Sequence, residues 1–169
     1  MAEKQAQARG LQVNEDRHWQ ETLWTAQRFA WAAMALLVVL AMLGATGKGG
    51  PLATASVKST GATIEYPRIT RWQSADQLSV RLPANASGEV QIELSQPFVE
   101  LFSIESVEPE PSRMEASGQG HRFAFNVSGG GGQPLIVFHI KASRFAFSRT
   151  VTARVGEAAP VEMSLIILP

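Results

Sequence analysis

The 169-residue chain contains no cysteine. It therefore forms no disulfide, has no thiol for catalysis or zinc binding, and has no cysteine on which a lipid could be attached. Charge is also scarce: 18% of residues are charged, and 15 Lys and Arg balance 15 Asp and Glu. Nucleic-acid binding depends on neutralising many phosphates, so a chain without net positive charge is a poor candidate for it. The length predicts one folded unit.

The longest run without charge covers residues 29–47, between Arg28 and Lys48. As a helix it would rise about 28 Å, close to the ~30 Å hydrocarbon core of a bilayer. Trp24 and Trp31 lie where aromatic rings favour the membrane interface. We therefore predict one transmembrane helix, with Trp24, Arg28, Trp31 and Lys48 at the membrane interface.

A cleaved signal peptide is the main alternative to a permanent anchor. The small residues from Ala53 to Ala55 would suit a cleavage site. The 28 residues before the apolar run are long for the start of a signal peptide, however, and the run itself exceeds the usual length of about 7–15 residues. The sequence therefore favours an uncleaved anchor. A buried core helix is a weaker alternative.

The distribution of positive charge predicts the orientation. Cations are commoner on the cytoplasmic side of a span. Four precede it and two follow it: Lys4, Arg9, Arg17, Arg28, then Lys48 and Lys58. We therefore expect the N-terminus in the cytoplasm, the span in the inner (cytoplasmic) membrane, and the C-terminal domain outside it, which is the periplasm if the cell is Gram-negative.

The chain is thus predicted to have four segments. Residues 1–28 form a cytoplasmic tail and juxtamembrane helix, 29–47 the span, 48–61 a linker and 62–169 an external β-domain. Helical spacing of apolar residues predicts one continuous helix over about residues 15–46. Trp19, Leu23 and Trp24 would form either a seam for a partner helix or an anchor at the membrane interface.

The external domain shows alternation typical of half-buried strands. Seven or eight such runs are separated by turn residues, which predicts an immunoglobulin-like antiparallel β-sandwich. The clearest runs lie at 78–82, 90–94, 122–126, 136–140, 145–147, 151–155 and 161–167. Residues 96–104 fit either a helical turn or a strand. The glycine-rich stretch 128–132 lacks the Lys-Ser/Thr of a phosphate loop, and we expect a flexible hairpin connection there.

Few residues in this domain suggest chemistry. His121 and His139, with Met114 and Met163, could form a copper site, because imidazole and thioether ligands select copper. The spacing of these four residues does not indicate that they come together. The simpler interpretation is that both histidines lie on polar faces of strands. Asp76, the only aspartate after the span, has no nucleophile motif to accompany it. We expect no enzymatic activity and no cofactor.

The segment 64–72 (IEYPRITRW) is the most distinctive surface candidate. Aromatic and arginine residues are enriched where proteins bind each other. Tyr66, Arg68, Arg71 and Trp72 would then form a docking edge near the membrane. Alternatively, Tyr66 and Trp72 belong to the core. Pro67 cannot donate to a sheet ladder, which favours an edge strand.

The chain carries the motif HWQETLW before the span and the motifs IEYPRITRW and IESVEPEP after it. This layout resembles small bacterial single-pass membrane proteins with an external immunoglobulin-like domain. The resemblance implies a membrane-protein partner, such as a YetF-like multi-spanning protein, besides the lipid bilayer. The layout is also similar to cytochrome-oxidase assembly proteins. Copper-carrying members of that group use a cysteine pair, which this chain lacks. The function expected is a non-enzymatic accessory protein; the alternative is a periplasmic copper carrier.

Overall fold

A computed structural model describes residues 17–45, 49–59, 61–129 and 132–169. The chain divides into two compact units, one ending at Val39 and the other running from Leu40 to Pro169. The predicted interface residue Lys48 lies outside the described residues.

The first unit consists of helix α1 (Arg17–Met42). Within it, the stretch Trp19–Met42 contains an 18-residue window with a mean hydropathy of 1.5, and no residue of that window is buried, unlike a core helix. The chain therefore has one N-terminal helix long and apolar enough to cross a membrane, a property that a signal sequence would share. The helix ends before Gly44, whose φ of 90° is accessible mainly to glycine, rather than at Gly47 as we expected.

Eleven strands and one short helix follow in the described part of the chain. Their bounds are β1 (Thr54–Ser59), β2 (Ala62–Pro67), β3 (Ile69–Arg71), β4 (Ala75–Arg81), β5 (Gly88–Ser95), α2 (Gln96–Leu101), β6 (Phe102–Glu108), β7 (Arg113–Ser117), β8 (Gly120–Val127), β9 (Leu135–Ala142), β10 (Ala146–Val155) and β11 (Val161–Leu168).

The strands form two sheets. The first sheet has the order β1-β2-β4-β9-β6 and the second has the order β3-β11-β10-β5-β8-β7. The strand pairs are antiparallel, except that β3 runs parallel to β11. The predicted fold class, an apolar N-terminal helix followed by a mainly β sandwich, is confirmed.

One apolar core joins the two sheets. The inward positions of both sheets belong to a single cluster of buried side chains. At its centre the ring of Phe138, from the first sheet, meets two rings of the second sheet edge-to-face. The centroid distances are 5.2 Å to Phe123 and 6.1 Å to Phe125. The alternation that predicted strands also predicts which of these side chains are buried.

The ambiguous segment 96–104 contains both predicted structures in succession. Pro97 stands in the first turn of α2, where its missing N–H costs no helix hydrogen bond. The rings of Phe98 and Phe102 stack at 5.1 Å, and both are fully buried. The chain then continues directly as β6.

The structure corrects three further predictions about the β-domain. Residues 54–59 of the predicted linker are strand β1, so the sandwich begins before residue 62. Consequently β2 lies between β1 and β4, and the predicted edge strand is wrong. Pro67 is tolerated in this interior strand because it is the last residue of β2. Strands β8 and β9, before and after the stretch 128–132, lie in different sheets and do not pair with each other. The predicted hairpin is therefore wrong.

Candidate interaction surface

The predicted docking segment passes from the first sheet to the second. Arg68 lies between β2 and β3, and its N–H donates to the carbonyl oxygen of Ala53 at 2.8 Å. Arg68 and Arg71 are exposed, and Trp72 keeps half of its surface. Tyr66 is only 6% exposed and belongs to the core cluster. Three of the four predicted contacts are therefore accessible, whereas the core alternative holds for Tyr66.

Hydrogen bonds fix Trp72 in place. Its indole Nε1–H donates to the carbonyl oxygen of Ser143 at 3.2 Å. Its backbone N–H donates to the carbonyl oxygen of Leu168 at 2.7 Å. The N–H of Ser143 in turn donates to the carbonyl oxygen of Leu101, at the end of α2. The half-exposed ring is thus held against the turn that connects β9 to β10.

That turn carries functional candidates that the sequence did not reveal. Phe145 is 64% exposed and Phe147 is 70% exposed. Arg144 and Arg149 flank them and, together with α2, line a shallow depression of about 790 Å³. The alternation at 145–147 had predicted that both rings face the core, and this is wrong. We call Trp72, Arg144, Phe145, Phe147 and Arg149 the aromatic–arginine patch.

A shift in register explains why the two phenylalanines face outward. The pairing of β10 with β11 slips between Ala146 and Arg149. Ser148, inside this irregular stretch, has a φ of 49°. A shift of one residue reverses which side chains face the core, and here Ala146 is the buried one.

The patch lies at the end of the sandwich where the chain arrives from α1. Ala53 precedes β1, and Thr54 pairs with Pro67. Ala75 pairs with Lys141, and the N–H of Gln73 donates to the carbonyl oxygen of Ala142. These pairings place residues 53, 67–68, 72–75 and 141–144 at one end, which we call the proximal end.

A second groove runs between the edge strands β6 and β7. It encloses about 720 Å³ and is lined by apolar and acidic side chains, including Ile104, Met114 and Glu105. His121 also lines it, and its buried Nδ1 has no hydrogen-bond partner among the described residues. Glu105 and Glu108 lie on β6.

The geometry brings only two of the four copper candidates together, since Met114 and His121 line the same groove. His121 shares the inward side of β8 with Phe123, whereas His139 alternates with the buried residues of β9 and faces outward. His139 Nε2 lies 3.8 Å from Glu108 Oε1, and Met163 is fully buried. In the part of the chain that the structure describes, no three His, Cys, Asp or Glu residues cluster as metal ligands would.

The predicted membrane-interface residues lie on α1. Trp24 and Trp31 are exposed, and the guanidinium carbon of Arg28 lies 4.4 Å from the ring centroid of Trp24. The ring attracts the guanidinium electrostatically in this cation–π contact. Trp19 and Leu23, the candidate seam, are exposed as well.

Comparison with models of known protein families gives no match for this chain. Comparison with curated proteins also gives none.

Proposed function

We propose that the protein is a membrane-anchored, non-enzymatic accessory protein whose external β-sandwich docks on a membrane complex. The observation that carries the proposal is the concentration of exposed aromatic and arginine side chains at the proximal end. Such side chains are typical anchors of protein interfaces. A sandwich attached to a membrane-spanning helix would present this end to neighbours in the same membrane.

The cellular location is part of the proposal. Helix α1 would be a single span in the inner membrane of a bacterium, with the N-terminus in the cytoplasm. The excess of cations before the span supports this orientation. The sandwich would then meet the periplasmic face of a multi-spanning membrane protein.

Arg68, Arg71 and Trp72 are the side chains we assign to the protein partner. They lie on or beside β3, which forms the edge of the second sheet. The indole of Trp72 is already fixed by its hydrogen bond to Ser143, so little rotamer entropy is lost when it is buried in an interface. Arginine side chains here could pair with carboxylates of the partner in two parallel hydrogen bonds.

Isolation of the native complex tests this proposal. The full chain, tagged and expressed from its own locus, is solubilised in mild detergent, separated on a native gel and analysed by mass spectrometry. We expect a co-migrating multi-spanning protein that is lost in the double variant Arg68→Ser, Arg71→Ser. Arg81→Ser is the matched control, since Arg81 is exposed at the other end of β4. Migration of the wild-type chain alone would contradict a stable complex.

A further inference from the structure

The outward rings of Phe145 and Phe147 are unusual in this domain. The other phenylalanines of the two sheets, at 102, 123, 125 and 138, are buried in the core. Among the described residues of the sandwich, these two rings are the most exposed large apolar side chains. Exposed apolar patches of this kind mark surfaces that contact another apolar phase or a partner.

The charge around these rings is strongly one-sided. Residues 68–74 and 141–150 contain five cations and no Asp or Glu, although the whole chain has no net charge. The cations are Arg68, Arg71, Lys141, Arg144 and Arg149. Two acidic residues lie nearby: Glu100 of α2 lines the neighbouring depression, and Asp76 of β4 is partly buried and accepts a hydrogen bond from Thr70. The patch therefore complements a negatively charged surface.

The connection to α1 restricts where the proximal end can go. The N–H of Leu52 donates to the carbonyl oxygen of Leu43 at 3.0 Å, so these two residues lie side by side. The carbonyl oxygen of Ala53, the next residue, accepts a hydrogen bond from the N–H of Arg68 at the proximal end. If α1 spans the bilayer, residue 43 lies near the membrane surface, and the proximal end cannot move far from it.

We infer that four residues of the aromatic–arginine patch, Arg144, Phe145, Phe147 and Arg149, bind the anionic headgroup surface of the bilayer itself, while Trp72 stays with β3 on the side of the protein partner. Phe145 and Phe147 enter the interfacial layer, where aromatic rings are favoured. Arg144 and Arg149 contact lipid phosphates, which the guanidinium group matches with two parallel hydrogen bonds. The inference rests on the proposed function only in requiring that α1 spans the membrane. Docking on lipid would hold the sandwich in a fixed orientation, with β3 free to meet a protein neighbour.

A single introduced cysteine provides the test, because the chain has none of its own. Ser143→Cys, beside the patch, is labelled with a fluorophore whose emission wavelength depends on its exposure to water. The full chain is placed, one copy per disc, in nanodiscs of phosphatidylcholine alone or mixed with phosphatidylglycerol. Ser87→Cys is the control site, since Ser87 is exposed in the connection after the far end of β4.

We expect the label at residue 143 to shift to shorter wavelength and to be shielded from an aqueous quencher in discs that contain phosphatidylglycerol. The label at residue 87 should not change. High salt should reverse the effect, because the Debye length falls to about 3 Å at 1 M. Each of the changes Arg144→Gln and Arg149→Gln should lower the ratio of docked to free sandwich by about fivefold. The double variant Phe145→Ser, Phe147→Ser should abolish the shielding while the sheet signal in circular dichroism remains.

Three results would overturn the inference. A label at residue 143 that stays in water in phosphatidylglycerol discs excludes binding to the lipid surface. Shielding found only in native membranes, together with a co-purifying protein, would assign the patch to that protein and leave the proposed function intact. Shielding found only when two copies share a disc would assign it to a second copy. If no protein complex is isolated but the label at residue 143 is still shielded in the discs, the proposed protein partner is refuted and lipid binding is supported.

Discussion

A partly buried hydrogen bond between the two sheets allows a sharp test of what holds the proximal end together. Thr70 on β3 is fully buried, and its Oγ1–H donates to Asp76 Oδ2 on β4. Thr70→Val keeps the shape but removes the donor facing a carboxylate. A hydrogen bond to a charged group contributes about 1.5–3 kcal/mol, so we expect the free energy of unfolding to fall by about 2 kcal/mol.

Thr70→Ser is the matched variant, because it keeps the hydroxyl and removes only a methyl group. Its expected cost is about 1 kcal/mol. Urea unfolding of the full chain in non-ionic detergent, followed by the sheet band in circular dichroism, measures both. Thr150→Val, at an exposed position of β10, should change stability by less than about 0.5 kcal/mol. If Thr70→Val is as stable as the wild type, packing rather than the hydrogen bond governs this site, and the reasoning is refuted.

Three further predictions concern the core, a turn and the histidines. Phe138→Ala should lower unfolding free energy by about 3–5 kcal/mol, whereas Phe147→Ala, at a 70% exposed position, should change it little; the same urea assay compares them. Gly120→Ala should prevent normal folding or shift the β7–β8 turn, because the added Cβ would lie 2.0 Å from a carbonyl oxygen of β5; the yield of folded protein checks this. In copper titration of the full chain, we expect His121→Ala and His139→Ala to leave any binding unchanged, since His121 faces the space between the sheets and His139 faces outward from the first sheet; tight stoichiometric binding lost in either variant would revive the copper-carrier hypothesis.

The strands that the sequence predicted are those with one buried face. Strands β4, β5, β8, β9 and β11 bury alternate residues, and this burial produces the two-residue period. The missed strands lack that signal for different reasons. Every residue of β7 is exposed, β3 has only three residues, and β6 contains a register shift between Ile104 and Ser106. Strand β1 is short of apolar residues, so it was assigned to the linker.

The candidate interaction surface was only partly predictable. The composition of 64–72 pointed to Arg68, Arg71 and Trp72, but not to the burial of Tyr66, which depends on strand register. Phe145 and Phe147 were assigned to the wrong face because the register of β10 shifts beside Ser148. The cations in residues 141–150, a stretch without acidic residues, could have indicated an exposed surface. We assigned the stretch from its strand periodicity instead. That Trp72 meets Ser143, 71 positions away, follows only from the pairing of distant strands.

The most direct test of the membrane-anchored function is whether α1 remains attached as an anchor. The full chain is expressed at its natural level, membranes are washed with alkaline carbonate, and both fractions are analysed by intact-mass spectrometry. We predict that the chain is found in the membrane pellet with α1 and the sandwich in one polypeptide. A sandwich released into the soluble fraction, beginning near Ala55, would identify α1 as a cleaved signal sequence and would contradict the membrane-anchored function.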